Sequence, residues 1–211
     1  MKPIIGIISR PELSPSKHEI ASVYRTISNA IIRSGAIPLG IIPTEDKFYL
    51  KETKETINIE NFNDLKKVID LCDGIICQGG DDFFDYDLKV IKYCYDSDIP
   101  LLGICLGMQT MGYLFKGKIE NILNHYEGFH EVTIDNNSKL YKILKTNKLL
   151  VNTRHKSVLK KTDLAISAYS SDGFIEAIED KTKKFFIGIQ WHPETMNDKV
   201  IDELINNMLL E

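Results

Sequence analysis

No stretch of the chain is apolar over the length of a membrane span. The opening apolar run ends at Ser9-Arg10, too soon for a secretory h-region, and no small-residue cleavage site follows it. Residence in the cytoplasm is the resulting expectation. Cysteine is sparse: Cys72, Cys77, Cys94 and Cys105 show no paired CxxC spacing and no neighbouring histidine cluster, so a structural zinc site lacks support and a reducing compartment suits them. An excess of one charge sign is missing too. A net charge of −4 over 211 residues leaves no basic footprint for nucleic acid or for an anionic membrane. Internal repeats, low-complexity tracts and linker-like segments are also absent, which leads us to expect a single domain over residues 1–211. With 43% hydrophobic residues and 27% charged, the composition is that of a globular protein and not a disordered one.

What is present is an alternation. Pro3 to Ser9, Ile37 to Ile42, Asp73 to Gln78 and Pro100 to Ile104 are short apolar runs of the kind that form buried strands. Between them, Glu19 to Arg33 places Ile20, Val23, Tyr24, Ile27, Ala30 and Ile31 at helical spacing before Gly35, and Asp85 to Tyr95 predicts a second helix. This βαβ rhythm implies a parallel sheet covered by helices on its faces. After Gly117 come short extended runs, His130 to Ile134, Leu149 to Asn152, Leu164 to Tyr169, Phe174 to Ile178 and Phe185 to Gln190, expected as antiparallel additions. Asp198 to Leu210 predicts a closing amphipathic helix, and the polar stretch Lys47 to Asn63 a surface excursion with at most a short helix.

Chemistry concentrates in three places. Leu101 to Gln109 runs from an apolar strand through Gly103-Ile104-Cys105-Leu106-Gly107 into a helix, the pattern of a nucleophile elbow. A nucleophile there occupies a strained turn, and the flanking glycines remove Cβ atoms that would strike neighbouring backbone. The helix N-terminus favours thiolate at Cys105, and the N–H of Leu106 points to where an oxyanion would form. Taken alone, Cys105 could equally be a core cysteine. A matching base follows the last apolar strand in Gln190-Trp191-His192-Pro193-Glu194, where Pro193 lets the imidazole of His192 and the carboxylate of Glu194 project together. The bland alternative there is a turn with a packed histidine. Third, Cys77-Gln78-Gly79-Gly80-Asp81-Asp82 ends a strand, and Gly80 is the candidate second oxyanion donor, although Gly-Gly-Asp is also a common turn. Cys77 reads as a core residue.

Together these elements resemble the class I glutamine amidotransferase-like superfamily, and within it the γ-glutamyl hydrolase branch (peptidase family C26, including γ-glutamyl-γ-aminobutyrate hydrolases). Gly103-Ile-Cys105-Leu-Gly107-Met-Gln109 and Gln190-Trp-His192-Pro-Glu194 look like its two diagnostic motifs. Ile4-Ile5-Gly6-Ile7, Val151-Asn152-Thr153-Arg154-His155 and Ser171 to Ala177 are similar to secondary features of the hydrolase branch. The resemblance implies an α/β three-layer sandwich with a mostly parallel central sheet, helices on both faces and an antiparallel extension. It implies Cys105, His192 and Glu194 as catalytic residues, Gly80 and Leu106 as oxyanion donors, and Gln109, Gly79 and His155 at the substrate, with His155 either touching it or bracing the pocket. Three departures concern the substrate, one being a short loop between Asp81 and Asp98. The branch usually carries Cys-Arg-Gly at the elbow where this chain has Cys105-Leu106-Gly107, and the expected glycine pair after the elbow helix is reduced to Lys116-Gly117-Lys118.

The implied reaction is hydrolysis of a γ-glutamyl amide or of glutamine through a thioester on Cys105, with no metal and no organic cofactor. A glutaminase subunit that passes ammonia to a separate synthetase is the alternative, and a non-catalytic relative is a third reading. The oligomeric state is left open by the sequence.

Overall fold

A computed structural model describes residues 1–43, 59–122, 128–196 and 198–209. The chain enters through β1 (Ile4–Ile8), the hairpin strands β2 (Arg10–Leu13) and β3 (Glu19–Ser22), helix α1 (Arg25–Arg33) and β4 (Ile37–Ile41). It continues through α2 (Ile59–Ile69), β5 (Gly74–Cys77), α3 (Asp85–Asp96), β6 (Leu101–Ile104) and α4 (Leu106–Leu114). Then follow β7 (Lys118–Asn121), β8 (Gly128–Ile134), α5 (Lys139–Leu144), β9 (Lys148–Thr153), β10 (Ser157–Lys161), β11 (Ala165–Ser170) and β12 (Ile175–Glu179). The chain ends with β13 (Phe186–Ile189), a 3-10 turn at Pro193–Thr195 and α6 (Val200–Leu209).

The apolar runs at β1, β5 and β6 become buried strands because both sides of the sheet are covered there, whereas β4, expected as buried, is an edge strand in which only Ile41 is buried. In the order β4-β1-β5-β6-β13-β12-β11-β8-β9, the first five strands pair in parallel and the rest antiparallel. Successive side chains of a strand point to opposite faces. Ile76, Leu102 and Ile187 therefore join α1, α5 and α6 in one core, while Ile75, Leu101 and Phe186 join α2, α3 and α4 in the other. All four residues of β5, β6 and β13 are buried. This is the mixed α/β sandwich that the motifs implied. No described helix is long and apolar enough to cross a membrane.

Three further expectations are corrected. Glu19 to Ser22 is not the first turn of the helix but a strand paired antiparallel with Arg10–Leu13, and Ile20 is correspondingly exposed. Gln78 enforces this from a distance: its Nε2 donates to the carbonyls of Ile8 and Ser22, and its Oε1 accepts from the N–H of Tyr24, so α1 starts only at Arg25. Phe186–Ile189 is antiparallel to β12 but parallel to β6, which makes it part of the central sheet and not of the extension. Finally, β7, β10 and α5 carried no apolar pattern strong enough to be read. β7 and β10 are mostly polar and pair with each other. Helix α5 is capped by Ser138, whose Oγ accepts from the N–H of Tyr141, and by the carboxylate of Glu179, 40 residues away from Lys139, which accepts from the N–H groups of Lys139 and Leu140. Of the expected excursion, residues 47–58 lie outside the described residues; α2 begins after them and is longer than the short helix foreseen.

Leu102 is fully buried between parallel neighbours that leave little room for collapse. Leu102→Ala is expected to destabilise the fold by about 2–5 kcal/mol, read as a lowered urea midpoint with an unchanged slope.

Candidate active site

Strand β6 delivers Cys105 to the end of the sheet, and α4 departs at once from Leu106. The turn between them is strained: Cys105 has φ +53° and ψ −106°, a conformation rarely adopted by a residue with a Cβ. The flanking glycines are obligatory on steric grounds. A methyl at Gly107 would stand 2.1 Å from the carbonyl oxygen of Cys77, and one at Gly103 would stand 2.8 Å from the backbone of Gly107. At the first position of α4 the N–H of Leu106 has no acceptor within the helix.

Strand β13 runs beside β6 and brings His192 to the same end of the sheet. Pro193 opens the 3-10 turn directly after it and returns Glu194 beneath the imidazole. His192 Nδ1 and Glu194 Oε1 lie 2.7 Å apart, with the carboxylate buried. The imidazole faces the elbow: His192 and Cys105 line the same cavity, and Gly79 packs against both. Burial by itself would pull the pKa of His192 down, but the hydrogen bonds to Cys105 and Glu194 and the charges behind them outweigh it and raise the value to about 9. This shift favours the imidazolium form of His192. Gly79 lies against this pair, and a methyl there would stand 3.1 Å from His192 Cε1.

The remaining thiols are unlike Cys105 in setting. Burial drives the thiol pKa of Cys77 and Cys94 well up and that of Cys72 to about 11, which keeps all three protonated and inert. Cys77 is thus the core residue it was read as.

Two cavities meet at Cys105. One, of about 110 Å³, is lined by Gln109, Arg154, His155, Lys156 and Ser157. The other is a wide trough of about 760 Å³ walled by β2, Tyr24, the Gly80 to Asp82 turn and His192. Cys105, Gly80, Asp81 and Arg154 border both. Gln109 lines the small cavity, and its Nε2 is committed to protein, donating to Ser157 O at 2.7 Å and Gln190 Oε1 at 3.0 Å. Only its oxygen remains for a ligand. His155 is buried, with Nδ1 3.1 Å from Ser157 O and Nε2 3.7 Å from the buried carboxylate of Glu176. Both ring nitrogens face protein, an arrangement that braces the cavity wall.

Two neighbours of the site were not singled out from the sequence. Gln190 is fully buried and its Nε2 donates to Cys105 Sγ at 3.5 Å. Asn152 holds the backbone of His192 on both sides, accepting from its N–H at 2.9 Å and donating to its carbonyl at 3.0 Å. Both lie inside quoted motifs, but nothing in the local pattern distinguishes a side chain that clamps a backbone 40 residues away.

The family model for peptidase C26 matches residues 85–194, a segment that holds the elbow and the His-Pro-Glu turn. The chain belongs to the peptidase C26 family. It is 28% identical to a glutamine amidotransferase-like protein of Rickettsia prowazekii over 95% of this chain and 94% of that one. It is 30% identical to anthranilate synthase component 2 of Cyanophora paradoxa over 80% of this chain and 84% of that one. Among solved structures, the glutaminase domain of Trypanosoma brucei CTPS with bound acivicin shares the fold with a TM-score of 0.71 at 18% identity, covering 100% of this chain and 95% of that one. These relatives place the C26 chain among class I glutamine amidotransferase-like proteins.

Because Glu194 is one of the groups that raise the pKa of His192, Glu194→Gln removes a contribution that favours the cation. In an NMR titration of the imidazole, the wild type is expected to lose its proton near pH 9 and the variant at clearly lower pH. An unmoved midpoint would mean that Cys105 alone holds the charge.

Proposed function

We propose that this C26 protein hydrolyses γ-glutamyl amides through a thioester on Cys105. The observation that supports this reading most directly is the position of Cys105 at the junction of two unequal cavities, with His192 on the larger one. The small cavity suits a glutamyl group, and Arg154 and Lys156 bring positive charge suited to its α-carboxylate. The trough takes the amine.

In the proposed reaction the Cys105 thiolate adds to the γ-carbonyl carbon, and the carbonyl electron pair moves onto oxygen. The N–H groups of Gly80 and Leu106 would receive that oxyanion. Collapse breaks the C–N bond while the His192 imidazolium protonates the leaving nitrogen, and the amine departs along the trough. Water then gives a proton to His192 and attacks the thioester; cleavage of the C–S bond releases glutamate and restores the thiolate. Glu194 holds the tautomer and balances the imidazolium throughout.

A second reading, glutaminase acting for a synthetase, is favoured by relatives named as a synthase component and as a glutaminase domain. The volume of the trough favours the first, because ammonia needs no cavity of about 760 Å³.

The two readings part on a panel of glutamine, γ-glutamyl-aminobutyrate and γ-glutamyl peptides assayed for glutamate and amine release. Hydrolysis of the larger amides is expected to exceed that of glutamine at least about tenfold in kcat/KM and to vanish in Cys105→Ala. Turnover of glutamine alone, and only with a synthetase present, would transfer the assignment to the second reading. Equal activity in wild type and Cys105→Ala would remove Cys105 from the mechanism.

A further inference from the structure

Arg10 is a buried cation in the wall of the trough that the reaction above leaves without a task. Its side chain is 7% exposed and that of its partner Asp87 is 3% exposed. Nη1 donates to Asp87 Oδ1 at 2.6 Å, and Nη2 donates to the carbonyl of Asp82. The guanidinium carbon sits 5.4 Å from the centroid of Phe84 and 5.9 Å from that of Tyr86, within the range of cation–π attraction. Asp87 is held in turn, since its Oδ2 accepts from the N–H of Phe84 at 2.8 Å. All of these contacts fall on residues 82–87, the segment that leaves the Gly79-Gly80 turn.

Arg10 also touches the turn itself. A methyl built on Gly80 would stand 3.1 Å from Arg10 Nε and 3.1 Å from Leu106 Cδ2. Gly80 thus lies between the guanidinium on one side and the first residue of the elbow helix on the other. The turn carries no regular secondary structure of its own, and two glycines in succession leave its peptide planes free to rotate. An external clamp is what would keep one N–H directed at the place beside Cys105 where the oxyanion forms. A buried ion pair is weak support for stability, because well-packed apolar residues often replace one without loss. Its geometry is therefore the more informative property: a planar fork that reaches a carboxylate and a backbone carbonyl at once. The far end of Arg10 is fixed too. Its backbone pairs with Ser22 in the hairpin, and Gln78, the residue before the turn, ties that hairpin to β1.

We propose that Arg10 is a positioning residue for the oxyanion pocket, holding the turn after β5 so that the N–H of Gly80 faces the oxygen of the carbonyl group whose carbon is attacked by Cys105. This rests on the reading of Gly80 as an oxyanion donor. Arg10 exchanges no atom with the substrate and acts only through the turn.

The test compares the full-length wild type with Arg10→Lys and with the double variant Arg10→Met/Asp87→Asn. The double variant strands no buried charge and keeps an acceptor for the N–H of Phe84. Three quantities are read: kcat and KM for the γ-glutamyl amide found active above, affinity for glutamate γ-semialdehyde, whose thiohemiacetal places an oxygen in the same pocket, and the rate of Cys105 alkylation by iodoacetamide. In the double variant kcat and aldehyde affinity are expected to fall together by about 100- to 1000-fold, with KM and the alkylation rate changed by less than about threefold. Arg10→Lys, which cannot bridge carboxylate and carbonyl with one planar fork, is expected between the two.

Retention of kcat and aldehyde affinity within about threefold of wild type would overturn the proposal. So would a parallel loss of alkylation, which would mark general damage to the elbow, or a rise in KM alone, which would make Arg10 a substrate contact. A wild type that hydrolyses no γ-glutamyl amide yet binds the aldehyde far more tightly than the double variant would overturn the function and keep the clamp. A wild type that does neither would overturn both.

Discussion

The backbone at Cys105 is held in a conformation that costs on the order of 1–3 kcal/mol, and the surrounding packing is arranged to impose it. β6 is hydrogen-bonded on both sides, to β5 and to β13, so the chain cannot relax sideways as it leaves the sheet. α4 then returns across the strand so tightly that Gly107 meets the carbonyl of Cys77 with no room for a Cβ. Sheet pairing and helix packing thus converge on one residue and place it at the helix N-terminus where two cavities meet.

The same parallel register sets up the partner. β13 lies next to β6, so the residues following Ile189 leave the sheet beside those following Ile104. His192 reaches Cys105 through this adjacency, Pro193 turns the chain, and Glu194 comes under the ring. Gln190 and Asn152 add restraint, the first at the sulfur and the second at the His192 backbone. Buried polar side chains of this kind are retained when their hydrogen bonds are satisfied, and here they fix directions rather than supply apolar burial.

Around that pair the molecule divides its labour between two walls. The antiparallel extension supplies the small cavity through the β9–β10 connection, with His155 backed by Glu176 from β12. The hairpin β2–β3 supplies the trough and the Arg10 contacts on the turn after β5. Cys105 and His192 are thereby carried on the parallel core, while the walls of the two cavities beside them come from the hairpin and the antiparallel extension.

Residues close together in sequence account for most of what could be read without a structure. The buried parallel strands were legible because a strand covered on both faces is apolar throughout, and the elbow was legible because its glycines answer to a local steric demand at Gly103 and Gly107. His192 and Glu194 were legible as a pair two residues apart across a proline. The parallel placement of β13, the cap on α5 by Glu179, the grip of Arg10 on Asp82 and Asp87, and the hold of Gln78 on the hairpin strand Glu19–Ser22 were not, because each depends on partners dozens of residues away. Local spacing determined the strand-to-helix turn at Cys105 and the His192–Glu194 pair, since both are short-range patterns. Only tertiary packing decided where substrate has room to lie and which side chains hold the reactive groups in place, because cavities and long-range hydrogen bonds exist only once distant segments meet.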